Sequence, residues 1–321
     1  MLDLDRLKRI RLRRTPPVQI LVAETLLRLN YRLPRPTDIV FEGLEHVPRD
    51  RRVFFAMNHT DRFNYWPFQY GMYRRKLPFT ATWVKGKYYE ARALGWFMDA
   101  TNNIPVPSRG YVISTEFRKL HGRPPGKEEY RVLRDLVDGR GDGASDSEAV
   151  RRLLGPDVGG FLARFDALFG EMIGEVIRLN REALFDRDLN VLVFPQGTRS
   201  KRLSRGHTGL AQMAQHLGAA IVPVGCSGCD RLYPGSSPLS RGGQVVYRVG
   251  APLEPDGPEL APYRVKQPFT PLTTAASERH GADLRAITDL VMARIDALVD
   301  PEYRFGDSTD SDGVRDMERF L

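Results

Sequence analysis

The 321-residue sequence contains only two cysteines, Cys226 and Cys229. Two cysteines exclude the disulfide framework that holds small secreted domains together. Their Cys-x-x-Cys spacing leaves a redox pair or half of a metal site open, but no second Cys or His pair lies at ligand spacing. Small buried residues after a strand are the favoured interpretation, and we expect no metal site.

Long apolar runs are missing as well. The longest fall well short of the ~18 residues that span a bilayer, and nothing resembles the apolar region and cleavage site of a signal peptide. No nucleotide-binding loop is recognisable, and we expect no cofactor. The sequence therefore predicts a cytoplasmic protein that does not span the membrane.

Positive charge is in excess, with a formal net charge of +8 and a pI near 9.6. An excess of this size favours anionic partners, which include phospholipid headgroups, the phosphates of CoA, acyl-carrier protein and nucleic acid. Charge alone does not choose among them.

The N-terminal 37 residues predict a basic leader followed by an amphipathic helix. Residues 6–14 interleave cations with aliphatics, and residues 18–32 carry apolar side chains between two proline breaks. Such a segment can lie in a membrane interface with its arginines on headgroups. It can equally pack on the protein's own core, and the sequence leaves both alternatives open.

From Asp38 the pattern is that of an α/β protein, and we predict one domain over residues 38–305. Helical patterns separate short apolar runs, which favours a mixed, mostly parallel sheet flanked by helices, with functional loops at the carboxyl ends of the strands. The predicted strands are 39–41, 53–56, 79–84, 191–194, 221–224 and 245–249.

A helical insertion is predicted at about residues 111–180, where no strand pattern occurs. Its last helix carries apolar residues at three- and four-residue spacing from Phe161 to Leu179. The ordinary explanation of that stripe is packing against neighbouring helices. The more specific explanation is that the stripe lines a site for an acyl chain. Residues 306–321 predict an acidic mobile tail.

Two segments carry the candidate chemistry. His59 follows a predicted strand, and an imidazole is suited to act as a general base on a hydroxyl because its pKa lies near neutrality. The second segment, Phe194 to Ser200, follows another predicted strand and reads Phe-Pro-Gln-Gly-Thr-Arg-Ser.

These two segments, with those between and after them, resemble the lysophosphatidic acid and glycerophospholipid acyltransferase superfamily. The order of the blocks is preserved over roughly residues 38 to 255, interrupted by the insertion. The further matching residues and segments are 40–48, Lys85, 95–97, 104–106, Arg109, 201–217, 221–224 and 244–252.

The resemblance implies that His59 deprotonates an acceptor hydroxyl, which then attacks the thioester of acyl-CoA or acyl-carrier protein, the co-substrate. It also implies a site for the acceptor phosphate, since the planar fork of arginine suits phosphate oxygens. The residues implied for acceptor or phosphate binding are Arg109, Gln196, Gly197, Thr198 and Arg199.

Two positions depart from the family pattern. The acidic residue expected five positions after the histidine is Asn64, and the glutamate of the third block is Gln196. An amide can hold an imidazole N–H but does not neutralise an imidazolium ion. Asp61 could replace the missing acid if it reaches the ring, or it could cap the following helix by accepting backbone N–H bonds.

The predicted function is therefore O-acyl transfer to a lysophospholipid or glycerol-phosphate hydroxyl in phospholipid metabolism. The alternative is a non-catalytic lipid-binding relative of the same fold. We expect a membrane phospholipid surface as partner, at the inner face of the cell membrane, and no nucleic acid.

Overall fold

The structure is a computed structural model that describes residues 1–306. The tail prediction from residue 307 onward lies outside the described residues. Within residues 1–306 there are seven strands, which are β1 (Thr37–Glu42), β2 (Phe54–Met57), β3 (Thr80–Lys85), β4 (Asn103–Val106), β5 (Asn190–Val193), β6 (Ile221–Ser227) and β7 (Gly243–Val249).

The strands form one sheet in the order β1-β7-β6-β2-β5-β3-β4. The pairs β1·β7, β2·β6, β2·β5 and β3·β5 are parallel, and β6·β7 is antiparallel. The predicted α/β fold with a mixed, mostly parallel sheet is thereby confirmed. Six strands overlap the predicted ones. The sequence did not indicate β4, a four-residue strand that contains Pro105, because proline is depleted in strands.

The central strands are the most apolar. Every residue of β2, β5 and β6 is buried. Parallel strands covered on both faces have continuous apolar runs rather than alternation, which is why these three are evident in the sequence. Since β2 and β5 are parallel neighbours, the residues that follow them meet at one edge of the sheet.

The chain divides into two compact units, each described separately below. The helical unit comprises Met1–Arg11 and Trp83–Asn180; the sheet unit comprises Leu12–Thr82 and the chain from Arg181 onward. The domain boundaries predicted from the sequence stay a prediction, because compactness alone does not define a domain.

In the helical unit, most of the apolar stripe predicted for the long helix is buried. Phe161, Phe165, Met172, Val176 and Leu179 of the predicted stripe are buried, Leu168 is half-buried, and Phe169 beside it is buried. The helices that begin in this unit are α1 (Leu4–Arg9), α5 (Arg92–Ala100), α6 (Arg109–His121), α7 (Lys127–Val137), α8 (Glu148–Leu154) and α9 (Val158–Arg181).

The sheet unit begins with a helix over residues 17–30, hereafter the N-terminal helix. It consists of α2 (Pro17–Val22), a π-helical turn (Ala23–Leu27) and α3 (Arg28–Asn30). The other helices are α4 (Tyr65–Arg74), α10 (Gly209–Leu217), α11 (Cys229–Leu232) and α12 (Thr274–Leu298). Helix α12 packs on β6 and β2, and α4 packs on β1. Among residues 1–306, no helix is both long enough and apolar enough to cross a membrane.

Candidate active site

The candidate site begins where the central strand β2 ends. Asn58 follows β2 and is buried; its Nδ2 donates to the carbonyl oxygen of Cys226 at 2.9 Å, and its Oδ1 accepts from the Cys226 N–H at 2.7 Å. These two bonds tie the ends of β2 and β6 together. The next residue, His59, is thus held at the carboxyl edge of the sheet.

The imidazole of His59 is oriented by Asn64. Nδ1 of His59 lies 3.1 Å from Oδ1 of Asn64, and Nδ2 of Asn64 donates to the carbonyl oxygen of Asn58 at 2.8 Å. That carbonyl can only accept, so the amide is oriented with Oδ1 toward the ring, and Oδ1 can only accept from an Nδ1–H. In neutral His59, therefore, the proton is on Nδ1 and Nε2 is the basic nitrogen.

Two further contacts hold this pair. Asn64 is fully buried, and the hydroxyl of Tyr247 donates to its backbone carbonyl at 2.6 Å. The ring of His59 stacks on that of Phe194, with centroids 4.1 Å apart and an interplanar angle of 19°. Phe194 directly follows β5, so the ring plane of the histidine is set by the neighbouring strand.

Asp61 serves as an internal anchor of the turn after β2. Its carboxylate accepts from the Phe63 N–H at 2.7 Å, from the Thr60 hydroxyl at 2.9 Å and from the thiol of Cys229. Burial raises the pKa of Asp61 to about 6. Helix α4 has its N-cap at Asn64 and no side-chain cap bond, so Asp61 bonds the turn that precedes the helix and does not cap it. The oxygen at hydrogen-bond distance from His59 Nδ1 belongs to Asn64.

Gln196 joins the loop from Phe194 to Ser200, hereafter the third-block loop, to the histidine. Its Oε1 accepts from the His59 N–H at 2.9 Å, and its Nε2 donates to Oγ of Ser204 at 3.2 Å and to the carbonyl oxygen of Arg202 at 3.4 Å. The side chain is 2% exposed. The sequence assigned Gln196 to the acceptor; the structure shows its amide engaged within the protein. A glutamate could not donate to the Arg202 carbonyl, which accounts for an amide at this position.

The same loop makes a second backbone bond to the histidine, because the Ser200 N–H donates to the His59 carbonyl oxygen at 2.9 Å. Thr198 of this loop is exposed and Arg199 is half-buried. Both backbone groups of His59 are therefore bonded to the segment that carries the predicted phosphate ligands.

A second histidine, His207, lies against this loop and was not singled out in the sequence. Its N–H donates to the Pro195 carbonyl oxygen at 2.7 Å, and a Cβ added to Gly197 would lie 2.8 Å from Cδ2 of its ring. Gly197 has a φ of 66°, which glycine adopts readily. No local motif marks His207, because its backbone bond to Pro195 joins residues on either side of the segment 196–206.

Arg109, also predicted to bind phosphate, belongs to the helical unit. Its Nη2 pairs with Asp166 at 2.8 Å, its Nε donates to the Val137 carbonyl oxygen at 2.9 Å, and its guanidinium lies over the rings of Phe165 and Phe169. A phosphate at this guanidinium would compete with Asp166, whose side chain is 57% exposed. The assignment to phosphate stays a prediction.

The two cysteines are both free and buried. Burial raises the pKa of the Cys229 thiol well above its usual range, which disfavours the thiolate that redox or metal chemistry needs. Within the part of the chain that the structure describes, no three His, Cys, Asp or Glu side chains are grouped to hold a metal ion.

A cavity of about 650 Å³ lies at the other edge of the sheet, beside the residues that precede β2, β5 and β6. Its three arginines pair with acidic side chains of the same lining: Asp188 bonds both Arg52 and Arg14, and Arg51 bonds Asp50 and Glu254. None of the predicted site residues lines it. The cavity is therefore separate from the candidate site at the His59 edge.

Comparison with known proteins agrees with the motifs. The acyltransferase family model matches residues 167–227, a segment that includes the whole third-block loop. A search of curated proteins finds no match to this chain. Among solved structures, the chain is similar to the 1-acyl-sn-glycerophosphate (LPA) acyltransferase PlsC from Thermotoga maritima.

That similarity is distant, at 15% sequence identity and a TM-score of 0.40, covering 91% of this chain and 86% of the other. It is too distant to transfer the activity of that enzyme to this chain. The match of the acyltransferase family model to this segment agrees with the resemblance predicted from the motifs.

Proposed function

We propose that this protein transfers a fatty acyl chain from acyl-CoA or acyl-carrier protein to the hydroxyl of a lysophospholipid or glycerol-phosphate acceptor. The observation that carries the proposal is the orientation of His59 at the carboxyl edge of the sheet. Oδ1 of Asn64 accepts a hydrogen bond from Nδ1–H, which leaves Nε2 as the base, and the adjoining loop contributes Arg199.

In the proposed reaction, Nε2 of His59 removes the proton of the acceptor hydroxyl as the oxygen attacks the thioester carbonyl. The oxygen–carbon bond forms, the carbon–sulfur bond breaks, and the departing thiolate takes the proton from the imidazolium. Gly197 and Thr198 offer backbone and hydroxyl donors to the acceptor phosphate. The guanidinium group of Arg199 offers two charged N–H donors. Gln196 holds the loop against His59 instead of contacting the acceptor.

The phospholipid surface follows from this acceptor class, because a lysophospholipid lies in a membrane. We accordingly place the protein at the membrane face from which thioester donors are reached.

The test is an incubation of the purified protein with labelled acyl-CoA or acyl-carrier protein and a panel of acceptors: glycerol 3-phosphate, lysophosphatidic acid and other lysophospholipids. We expect product that is lost in His59→Ala and kept in the control His216→Ala, whose exposed ring bonds the Phe269 carbonyl. Absence of any His59-dependent product across donors and acceptors would overturn the proposal.

One observation favours a second function, the non-catalytic lipid binder. The partner of His59 is an uncharged amide, which does not stabilise the imidazolium that forms during attack. A binder would retain lysophospholipid affinity in His59→Ala and form no product in the assay above. The same experiment therefore distinguishes the two functions.

A further inference from the structure

The side chain of Gln196 is held by residues that are themselves bonded to Tyr303. Nε2 of Gln196 donates to the Arg202 carbonyl oxygen and to Oγ of Ser204. Between these two residues, the Leu203 N–H donates to the Tyr303 carbonyl oxygen at 2.9 Å. The segment that positions Gln196 is therefore attached to a residue about 100 positions further along the chain.

Through its hydroxyl group, Tyr303 is also bonded to the residues that follow β6. Its side chain is fully buried. The Gly228 N–H donates to the hydroxyl oxygen at 3.0 Å, and the hydroxyl donates to Oδ1 of Asp230 at 2.6 Å. Gly228 directly follows β6, and Cys226 of that strand exchanges two hydrogen bonds with Asn58. The hydroxyl thus joins Tyr303 to the strand end that holds Asn58.

These bonds form a closed circuit that includes His59. His59 donates its N–H to Gln196 and directly follows Asn58 in the chain. Tyr303 closes the circuit, because its carbonyl oxygen accepts from the segment that positions Gln196 and its hydroxyl is bonded at the end of β6. Buried bonds of this kind fix the distance between the parts they join.

Charged groups add to the contact between residues 201–204 and Tyr303. Glu302 pairs with Lys201 at 3.4 Å and with Arg231 at 2.6 Å, and the Lys201 ammonium lies 5.8 Å from the centroid of the Tyr303 ring. The three charged side chains are between 42% and 61% exposed, and exposed ion pairs contribute little. The buried hydroxyl bonds are therefore the principal attachment.

We propose that Tyr303 is a positioning residue for the acceptor site. It acts through the third-block loop, whose residues 197–199 are the proposed donors to the acceptor phosphate, by fixing the distance of that loop from His59. An acceptor held by its phosphate places its hydroxyl at Nε2 of His59 only when this distance is right. Tyr303 lies outside residues 167–227, which the family model matches.

The inference deepens the proposed function and rests on it for the acceptor. The attachment of the third-block loop to Tyr303 can be measured without catalysis.

The test is Tyr303→Phe, which removes the hydroxyl and keeps the ring and the backbone bond to Leu203. Steady-state kinetics should show the KM for the acceptor raised about 5- to 10-fold and the KM for the acyl donor unchanged. A protein that is only less stable contains less folded enzyme, which lowers kcat and leaves both KM values as they were.

Tyr89→Phe is the matched control, because it removes a hydroxyl that is equally buried, in the helical unit, where it donates to the Asn103 carbonyl oxygen. Its acceptor KM should equal that of the parent. Thermal unfolding checks that both variants fold.

A second variant, Glu302→Ala, removes the exposed ion pairs to Lys201 and Arg231. It should raise the acceptor KM about 2- to 3-fold, since exposed pairs are weak. If Tyr303→Phe did not fold, Glu302→Ala would decide, and an unchanged acceptor KM in it would overturn the inference.

Hydrogen exchange separates the inference from the proposed function. The backbone amides of residues 196–204 should exchange at least about fivefold faster in Tyr303→Phe than in Tyr89→Phe, whether or not the protein forms product. Faster exchange in a protein without acyl transfer would leave the attachment standing and remove the proposed function. Unchanged exchange at residues 196–204, or a loss in kcat with both KM values unchanged, would overturn the inference.

Discussion

Asn64 Oδ1 lies 3.1 Å from His59 Nδ1, at the position where the family that these motifs resemble has an acidic residue. The amide orients the ring and selects its tautomer, but it carries no charge. The histidine is therefore positioned as a base without the electrostatic support of a carboxylate.

Replacing Asn64 by Ala should lower kcat about 10- to 100-fold with little change in KM, because the ring loses the acceptor that orients it. Asp61→Asn should have a much smaller effect, since its carboxylate is bonded to Phe63, Thr60 and Cys229. Steady-state kinetics on both variants measure which of the two loses more kcat. A greater loss in Asp61→Asn would show that Asp61 orients the histidine.

Gln196→Glu should lower the free energy of unfolding by about 1–3 kcal/mol, because a carboxylate oxygen would replace the amide that donates to Ser204 and Arg202. Gln267→Glu makes the same charge change at an exposed site and should stay within about 0.5 kcal/mol of the parent. Urea unfolding compares them. Equal stability of the two variants would contradict the buried role of Gln196.

Asp61 should make stability depend on pH. Burial raises its folded-state pKa to about 6, above the unfolded value near 3.8, so the folded protein holds the proton more tightly. Its contribution is fully present below about pH 4 and is lost as pH rises to about 6, by up to about 3 kcal/mol.

Urea unfolding between pH 4 and 8, with Asp61→Asn as reference, isolates this contribution. The unfolding free energy of the parent should fall relative to that of the variant between about pH 4 and about pH 6, and the difference should stay level from there to pH 8. A parent that gained stability relative to Asp61→Asn as pH rose would show that the folded-state pKa is lowered instead.

Gly197→Ala should be more destabilising than Gly218→Ala. Both glycines have positive φ, 66° and 62°, so both variants carry a backbone cost of about 1–2 kcal/mol. Only at Gly197 would the new Cβ meet a ring, that of His207 at 2.8 Å. This contact should add about 1–3 kcal/mol.

The double variant Gly197→Ala with His207→Ala supplies the check. Removing the ring should recover the added cost, so the two changes should be non-additive in thermal or urea unfolding. Additive effects would mean that His207 does not lie against Gly197 in solution.

Much of the fold was visible in the sequence because its determinants are local. The buried strands β2, β5 and β6 are continuous apolar runs, and the polar residues after them mark the site edge. Strand β4 was missed since four residues with a proline carry no period.

The orientation of the N-terminal helix could not be predicted from its local sequence. Its sequence predicts amphipathicity, but which face is buried depends on Asn30 and its partners Pro238 and Ser240, which are more than 200 positions away. The π-helical turn Ala23–Leu27 also interrupts the 3.6-residue period from which a face would be inferred.

The candidate site, like the fold, could be predicted from the sequence only in part. His59 and the Phe194 to Ser200 loop could be found from residue type and from their place after strands, and with them the resemblance to the acyltransferase family. The assignment of Asn64 to the imidazole, the internal use of Gln196 and the approach of His207 to Gly197 came only with the tertiary structure. Hydrogen bonds and ring contacts depend on angles and distances between segments that the chain order does not specify, so folding alone decides which donor meets which acceptor.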